Sequence, residues 1–148
     1  MPVPEPTKRS GISRLADLVL VPQERVAGVF PIVLPLLKPA LDWSGECGAA
    51  ALQDRLLSGI YRLWLCHEGA GPIAAAVTEI VTTIRGPVCV LVLCGGSERH
   101  KWMGLLDEIE TWAAMQGCKE LRIYGRPGWT RVLPDYQVER VVLTKDLT

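Results

Sequence analysis

The amino-acid sequence predicts an α+β fold built on one mixed sheet, and two observations carry that prediction. Residues 60–94 hold three β-rich runs separated only by short turns containing Gly and Pro, the pattern of an antiparallel meander. A helical run follows and leads to a further strand beyond Gly117, so the chain returns by a βαβ crossover. Meander first and crossover second give the order strand, two helices, three-strand antiparallel meander, helix, strand, helix, strand.

Each element has its own warrant. Residues 1–14 are rich in Pro, Lys, Arg and Ser and read as a flexible N-terminal arm, with one domain over 15–148. Leu15 to Val21 makes a first strand stopped by Pro22. Val26, Phe30, Val33, Leu34, Leu37 and Leu41 recur at helical spacing, but Pro31, Pro35 and Pro39 interrupt them, so a kinked helix or two short ones is expected. Gly48 to Ser58 forms a second helix burying Leu52 and Leu56, with Gly59 as a left-handed cap. Ile60 to Cys66 and Ile73 to Ile84 pair across the turn His67 to Pro72, and Arg85-Gly86-Pro87 turns the chain again. Val88 to Cys94 is apolar throughout, as in a central strand covered on both faces. Gly95-Gly96-Ser97 opens the clearest helix, in which Trp102, Leu105, Leu106, Ile109, Trp112 and Ala113 share a face, with Ser97 as cap and Gly117 as terminator. Lys119 to Tyr124 is a strand, Trp129 to Leu133 a short helix ended by Pro134, and Val138 to Thr144 the last strand.

Composition limits the function classes. Sixteen basic and sixteen acidic residues cancel, and they cancel within each half of the chain: seven of each up to residue 74, nine of each after it. A nucleic-acid binder driven by counterion release needs a basic surplus or stripe, so nucleic acid is not expected as a partner. The mean hydropathy of +0.21 is high for a chain with no apparent signal peptide. The longest uninterrupted apolar stretch, Val88 to Cys94, is far shorter than a bilayer span, so no membrane span is expected. The five cysteines are scattered without C-x-x-C spacing, which fits reduced buried thiols in a cytoplasmic protein and no metal site.

The β-turn-β of Leu63 to Val77, the buried strand Val88 to Cys94, the amphipathic helix Arg99 to Gln116 and the tail from Tyr124 to Val142 together resemble the GNAT superfamily of acyl-CoA-dependent N-acyltransferases, over roughly residues 15–147. The spaced Trp102, Trp112, Gly117, Gly125, Gly128 and Trp129 are similar more narrowly to short GNAT-like proteins of phages and prophages. In the superfamily a loop of pattern Arg/Gln-x-x-Gly-x-Gly/Ala holds the CoA pyrophosphate on backbone N–H groups. The matching stretch here is Arg99-His100-Lys101-Trp102-Met103-Gly104, with Trp102 in place of the first glycine. An indole there either fills the phosphate's volume or turns into the core; Gly95-Gly96 could instead form a different anion-binding turn.

With that departure, the resemblance implies a fold that has lost CoA chemistry. The expected role is a non-catalytic virion-associated or assembly protein, without cofactor, acting through contacts with other proteins in the host cytoplasm or the virion. The alternative it implies is an active N-acyltransferase using acetyl-CoA or another acyl-CoA. Arg99, His100, Lys101 and Gly104 would then bind the cofactor, Glu79 would take the amine proton, and Tyr136 or Tyr124 would protonate the leaving thiolate. Glu79 is also explained as an exposed strand residue, and Tyr136 as a packed ring. Lys119, Arg122, Arg126 and Arg131 beside the acidic Asp107, Glu108 and Glu110 suit a protein surface, or simply two solvated faces. Trp43 and Trp129 are the expected exposed anchors, the apolar run Phe30 to Leu41 could dock on a partner, and an oligomer is possible.

Overall fold

In the computed structural model, which describes residues 17–69 and 71–148, β-branched and aromatic runs form five strands in one sheet of order β1-β2-β3-β4-β5. β1 (Asp17–Leu20), β2 (Tyr61–Glu68), β3 (Gly71–Thr83) and β4 (Gly86–Gly96) are antiparallel neighbours. β5 (Leu121–Ile123) joins β4 in parallel, as the crossover requires. The sheet is therefore mixed, in an α+β fold. The expected arm over residues 1–14 lies outside the described residues.

Helices cover both faces, and strand alternation sorts the core between them. On one face α1 (Val26–Ser44) and α2 (Ala49–Leu57) pack Phe30, Val33, Leu37, Leu52 and Leu56 against Leu63, Val77 and Leu93. On the other, α4 (Leu106–Met115) packs Leu106, Ile109 and Trp112 against Trp64, Cys89 and Leu91. The Trp64 and Trp112 rings meet edge to face with centroids 5.2 Å apart, and the buried Trp64 indole N–H donates to Thr78 Oγ1 at 3.0 Å. Burial on both faces accounts for the uninterrupted apolar run of β4.

Several expectations are corrected. The proline-punctuated segment is one continuous 19-residue helix closed by Gly45 in the left-handed conformation, not a broken one. Pro31, Pro35 and Pro39 all lie on its exposed side, so the carbonyls that lose their donors face water. Together with the turn before it, residues 23–44 are long and apolar enough to cross a bilayer, contrary to the estimate from β4 alone; their buried face packs on the sheet. The helix expected from Arg99 onward is divided into α3 (Arg99–Trp102), a 3₁₀ turn at Met103–Leu105, and α4. Ser97 does not cap it: the N-cap is Glu98, at φ 52°. Finally, Val138 to Thr144 forms no strand. After α5 (Trp129–Val132) the chain has no regular structure from residue 137, and Val141, Val142 and Leu143 are exposed. Strand propensity needs a ladder partner, and β5, three residues long, does not pair with this segment.

Candidate active site

The feature with chemical potential is a parting in the sheet. β4 and β5 run side by side for three register pairs, Cys89 with Leu121, Val90 with Arg122 and Leu91 with Ile123. Beyond Leu91, β4 continues to Gly96 with β3 alone beside it. Among the described residues, no strand pairs with the β5-facing edge of residues 92–96.

Local sequence holds the two strands apart. Gly95 lies under α1 so closely that a Cβ there would sit 2.2 Å from the Leu36 carbonyl oxygen. Gly96, at φ +153°, lies against β3, where a Cβ would come within 2.3 Å of the Ile73 carbonyl oxygen. The missing Cβ atoms of this glycine pair let the end of β4 pack against α1 and β3. On the other side the chain leaves β5 at Tyr124 and turns at Gly125, against whose backbone the Trp129 ring rests; a Cβ at Gly125 would be 2.7 Å from the indole nitrogen.

Beside the end of β4, on the sheet face covered by α3 and α4, lies an apolar cleft of about 30 Å³, lined by Leu18, Cys66, Leu91, Cys94, Trp102 and Trp129 among others. That volume holds little more than a water molecule. The half-buried Trp102 indole lines the cleft and donates Nε1–H to the Ser97 carbonyl at 2.8 Å. Burial pushes the Cys94 thiol up to about 12, which keeps it protonated near neutrality. Cys66, which also lines the cleft, is raised to about 12, first by burial and then by the nearby acids Asp17, Glu108 and Glu68. Among the described residues no group of three or more His, Cys, Asp or Glu side chains is arranged to hold a metal ion.

The residues singled out from sequence are distributed unevenly around this cleft. Arg99 and His100 are exposed on α3, and Gly104 is exposed in the 3₁₀ turn with open space beyond its Cα. The side chain of Lys101 lies outside the described residues. Glu79 and Tyr136 are not brought together. Glu79 pairs in register with Tyr61 on the α1–α2 face and lies near Arg55. Tyr136 packs on the α4 face, where its hydroxyl donates to Glu110 Oε2 at 2.5 Å. Burial, and then that hydrogen bond, hold the phenol above its ordinary range. Tyr124 is exposed at the end of β5.

The charged and aromatic surface expectations resolve into local contacts. Arg122 pairs with Glu120, Arg126 stacks over the Trp43 ring at 5.5 Å, and Glu108 is buried. Trp43 is half exposed and Trp129 half buried. Sequence reasoning did not anticipate Trp129 or Met103 as cleft residues; Gly125, four positions before Trp129, was the available signal.

No family model and no curated protein matches this sequence. Solved structures do match in fold. An aminoglycoside acetyltransferase from an uncultured soil metagenomic sample, in complex with sisomicin, is similar with a TM-score of 0.66 at 9% identity, over 90% of this chain and 97% of that one. Aminoglycoside N-acetyltransferase AAC(6')-Iy in complex with CoA gives 0.63 at 15% identity, over 95% and 100%. A GNAT family acetyltransferase from Staphylococcus aureus gives 0.59 at 17%, over 89% and 98%. The chain has the fold of GNAT acetyltransferases across nearly its whole length.

Proposed function

We propose that this chain is an acyl-CoA-dependent N-acyltransferase working at the parting of β4 and β5. The observation that carries the reading is the free edge of β4 over residues 92–96, beside an apolar cleft, in a fold shared with acetyltransferases of which one is bound to CoA.

The free edge of β4, rather than the small cleft, fits part of the cofactor. Unpaired backbone groups of residues 92–96 would hydrogen-bond the amides of an extended pantetheine arm, as an added strand would. Arg99 and His100 stand exposed at the adjoining loop, where phosphate charge would lie. When bound, acyl-CoA supplies a thioester whose acyl carbon accepts an amine and whose thiolate leaves. Met103, Leu106 and Trp129 would exclude water from that apolar site. Among the described residues, those lining the small cleft include no carboxylate and no imidazole. Glu79 lies across the sheet, and the Tyr136 hydroxyl is held by Glu110.

One observation favours a second reading, a protein that shares the fold and does not bind CoA: the Trp102 indole, tied to Ser97, lines a cleft of only about 30 Å³. The virion or assembly role expected from the narrower phage resemblance draws no support from the matching structures, which are acetyltransferases.

Titration calorimetry with acetyl-CoA on the wild-type chain and on Trp102→Gly separates the two. Micromolar binding by the wild type, with thiol release in the presence of an amine panel, is the expected result. Binding by Trp102→Gly alone assigns the natural chain to the second reading. Absence of binding by both folded proteins overturns the acyltransferase proposal.

A further inference from the structure

The apolarity of α1 exceeds what its buried face requires. Residues 23–44 have the length and composition of a bilayer-spanning helix, yet only 28% of their most apolar stretch is buried. A helix packed on a core needs one apolar stripe, and its other side is ordinarily polar. Here the outer side presents Gly28, Pro31, Ile32, Pro35, Pro39 and Trp43, all exposed, with Ile32 at 54% and Trp43 at 51%. No charged residue falls between Arg25 and Lys38. The charges stand at the two ends. Glu24 and Arg25 precede the helix, Lys38 pairs with Asp42 near its close, and Arg126 stacks over the Trp43 ring at 5.5 Å.

The surface this face fits follows from its chemistry. Its exposed middle carries no side-chain donor or acceptor, so it encodes no hydrogen bond by which one particular protein would be recognised. The three prolines leave the carbonyls of Ala27, Pro31 and Pro35 without helical donors. Those acceptors have to stay hydrated, so the face cannot sink into hydrocarbon. An apolar ridge kept at the water line, with an indole and an arginine at one end, matches the headgroup boundary of a bilayer. The end charges nearly cancel, Arg25, Lys38 and Arg126 against Glu24 and Asp42, so a zwitterionic surface suffices.

We infer that the outer face of α1 lies in the plane of a phospholipid interface, as a peripheral contact that leaves the sheet in water. Ile32 and the proline rings meet the acyl boundary, Trp43 sits at headgroup depth, and the Arg126 guanidinium reaches lipid phosphate.

Flotation of the full chain with phosphatidylcholine vesicles, at low and high salt, tests this. The wild type is expected to float with the vesicles in both. Ile32→Glu places a carboxylate on the ridge at an exposed position, so it is expected to keep the wild-type circular dichroism. Its vesicle partitioning is expected to fall by about tenfold or more. Lipids brominated near the headgroup are expected to quench indole emission more than lipids brominated deep in the chain, and Trp43→Phe to remove that difference. Ile84→Glu, at a fully exposed residue of the β3–β4 turn, is the control and is expected to float as the wild type does. Four outcomes overturn the proposal. The wild type stays with free protein; Ile32→Glu floats equally well; Ile84→Glu loses as much as Ile32→Glu; or the wild type forms a dimer that does not float and that Ile32→Glu separates, which gives the face to a second copy.

Discussion

Gly95 shows how a single missing Cβ sets the geometry of the candidate site. The end of β4 can lie beneath α1 only because nothing projects from Gly95 toward the Leu36 carbonyl, 2.2 Å from where a Cβ would be. That neighbour is main chain, so Gly95→Ala has to lift the helix or bend the strand. We expect a loss of roughly 1–3 kcal/mol in urea unfolding, the range for overpacking at a well-packed contact. Gly104 is the contrasting case, with nothing within 4 Å of a built Cβ and no left-handed backbone. Gly104→Ala is expected to be neutral or to stabilise by about 0.5 kcal/mol through the unfolded chain. A Gly95→Ala variant as stable as Gly104→Ala would show that the close approach to the Leu36 carbonyl does not set the response. The Arg-x-x-Trp-x-Gly stretch was legible in the sequence as a departure from a phosphate loop. Where the indole went was not, because its destination is the Ser97 carbonyl, a main-chain group that no side-chain pattern encodes.

At the scale of elements, apolar periodicity proved more informative than the residues that interrupt it. Val26, Phe30, Val33, Leu37 and Leu41 are all buried, so the stripe on α1 located the helix correctly. The prolines pointed to a break that does not occur. Their spacing of four puts Pro31, Pro35 and Pro39 on one exposed line, where water takes the place of each lost N–H donor. Each proline still weakens the helix. Pro35→Ala restores a donor to the Pro31 carbonyl and removes the crowding of that turn, at the cost of a more flexible unfolded chain. The net expectation is a gain of about 1–2 kcal/mol, read as a higher urea midpoint with unchanged or slightly greater helical dichroism. An unchanged midpoint would mean that hydration already compensates fully. The last strand failed for the opposite reason: Val138 to Thr144 has the composition of a strand, but pairing is a property of two segments, and composition reports on only one.

The whole molecule is a sheet with helices on both faces, and that architecture explains the cysteines as well as the apolar run of β4. Their lack of metal-ligand spacing was legible at once; their protonation follows only from burial, which the fold determines. Cys66, Cys89 and Cys94 sit on the inner strands, and burial is the first cause that raises each thiol from 9.0 to about 12. For Cys66 neighbouring carboxylates add to it, and for Cys89 and Cys94 a second thiol does. The folded state therefore holds its thiol protons to higher pH than the unfolded chain does. Above about pH 9 the native state binds more protons than the unfolded state, so stability has to fall as pH rises. Below pH 9 both states keep the thiols neutral, and these groups impose no slope. The urea midpoint is accordingly expected to be level from neutrality to about pH 9 with respect to these groups, and to decline through the window toward 12. The decisive comparison is with Cys94→Ala, which removes a thiol that lines the cleft. That variant is expected to start less stable, because it leaves a void in a packed region, but to lose stability less steeply above pH 9. Parallel declines in the two proteins would show that the Cys94 thiolate is not what the folded state excludes.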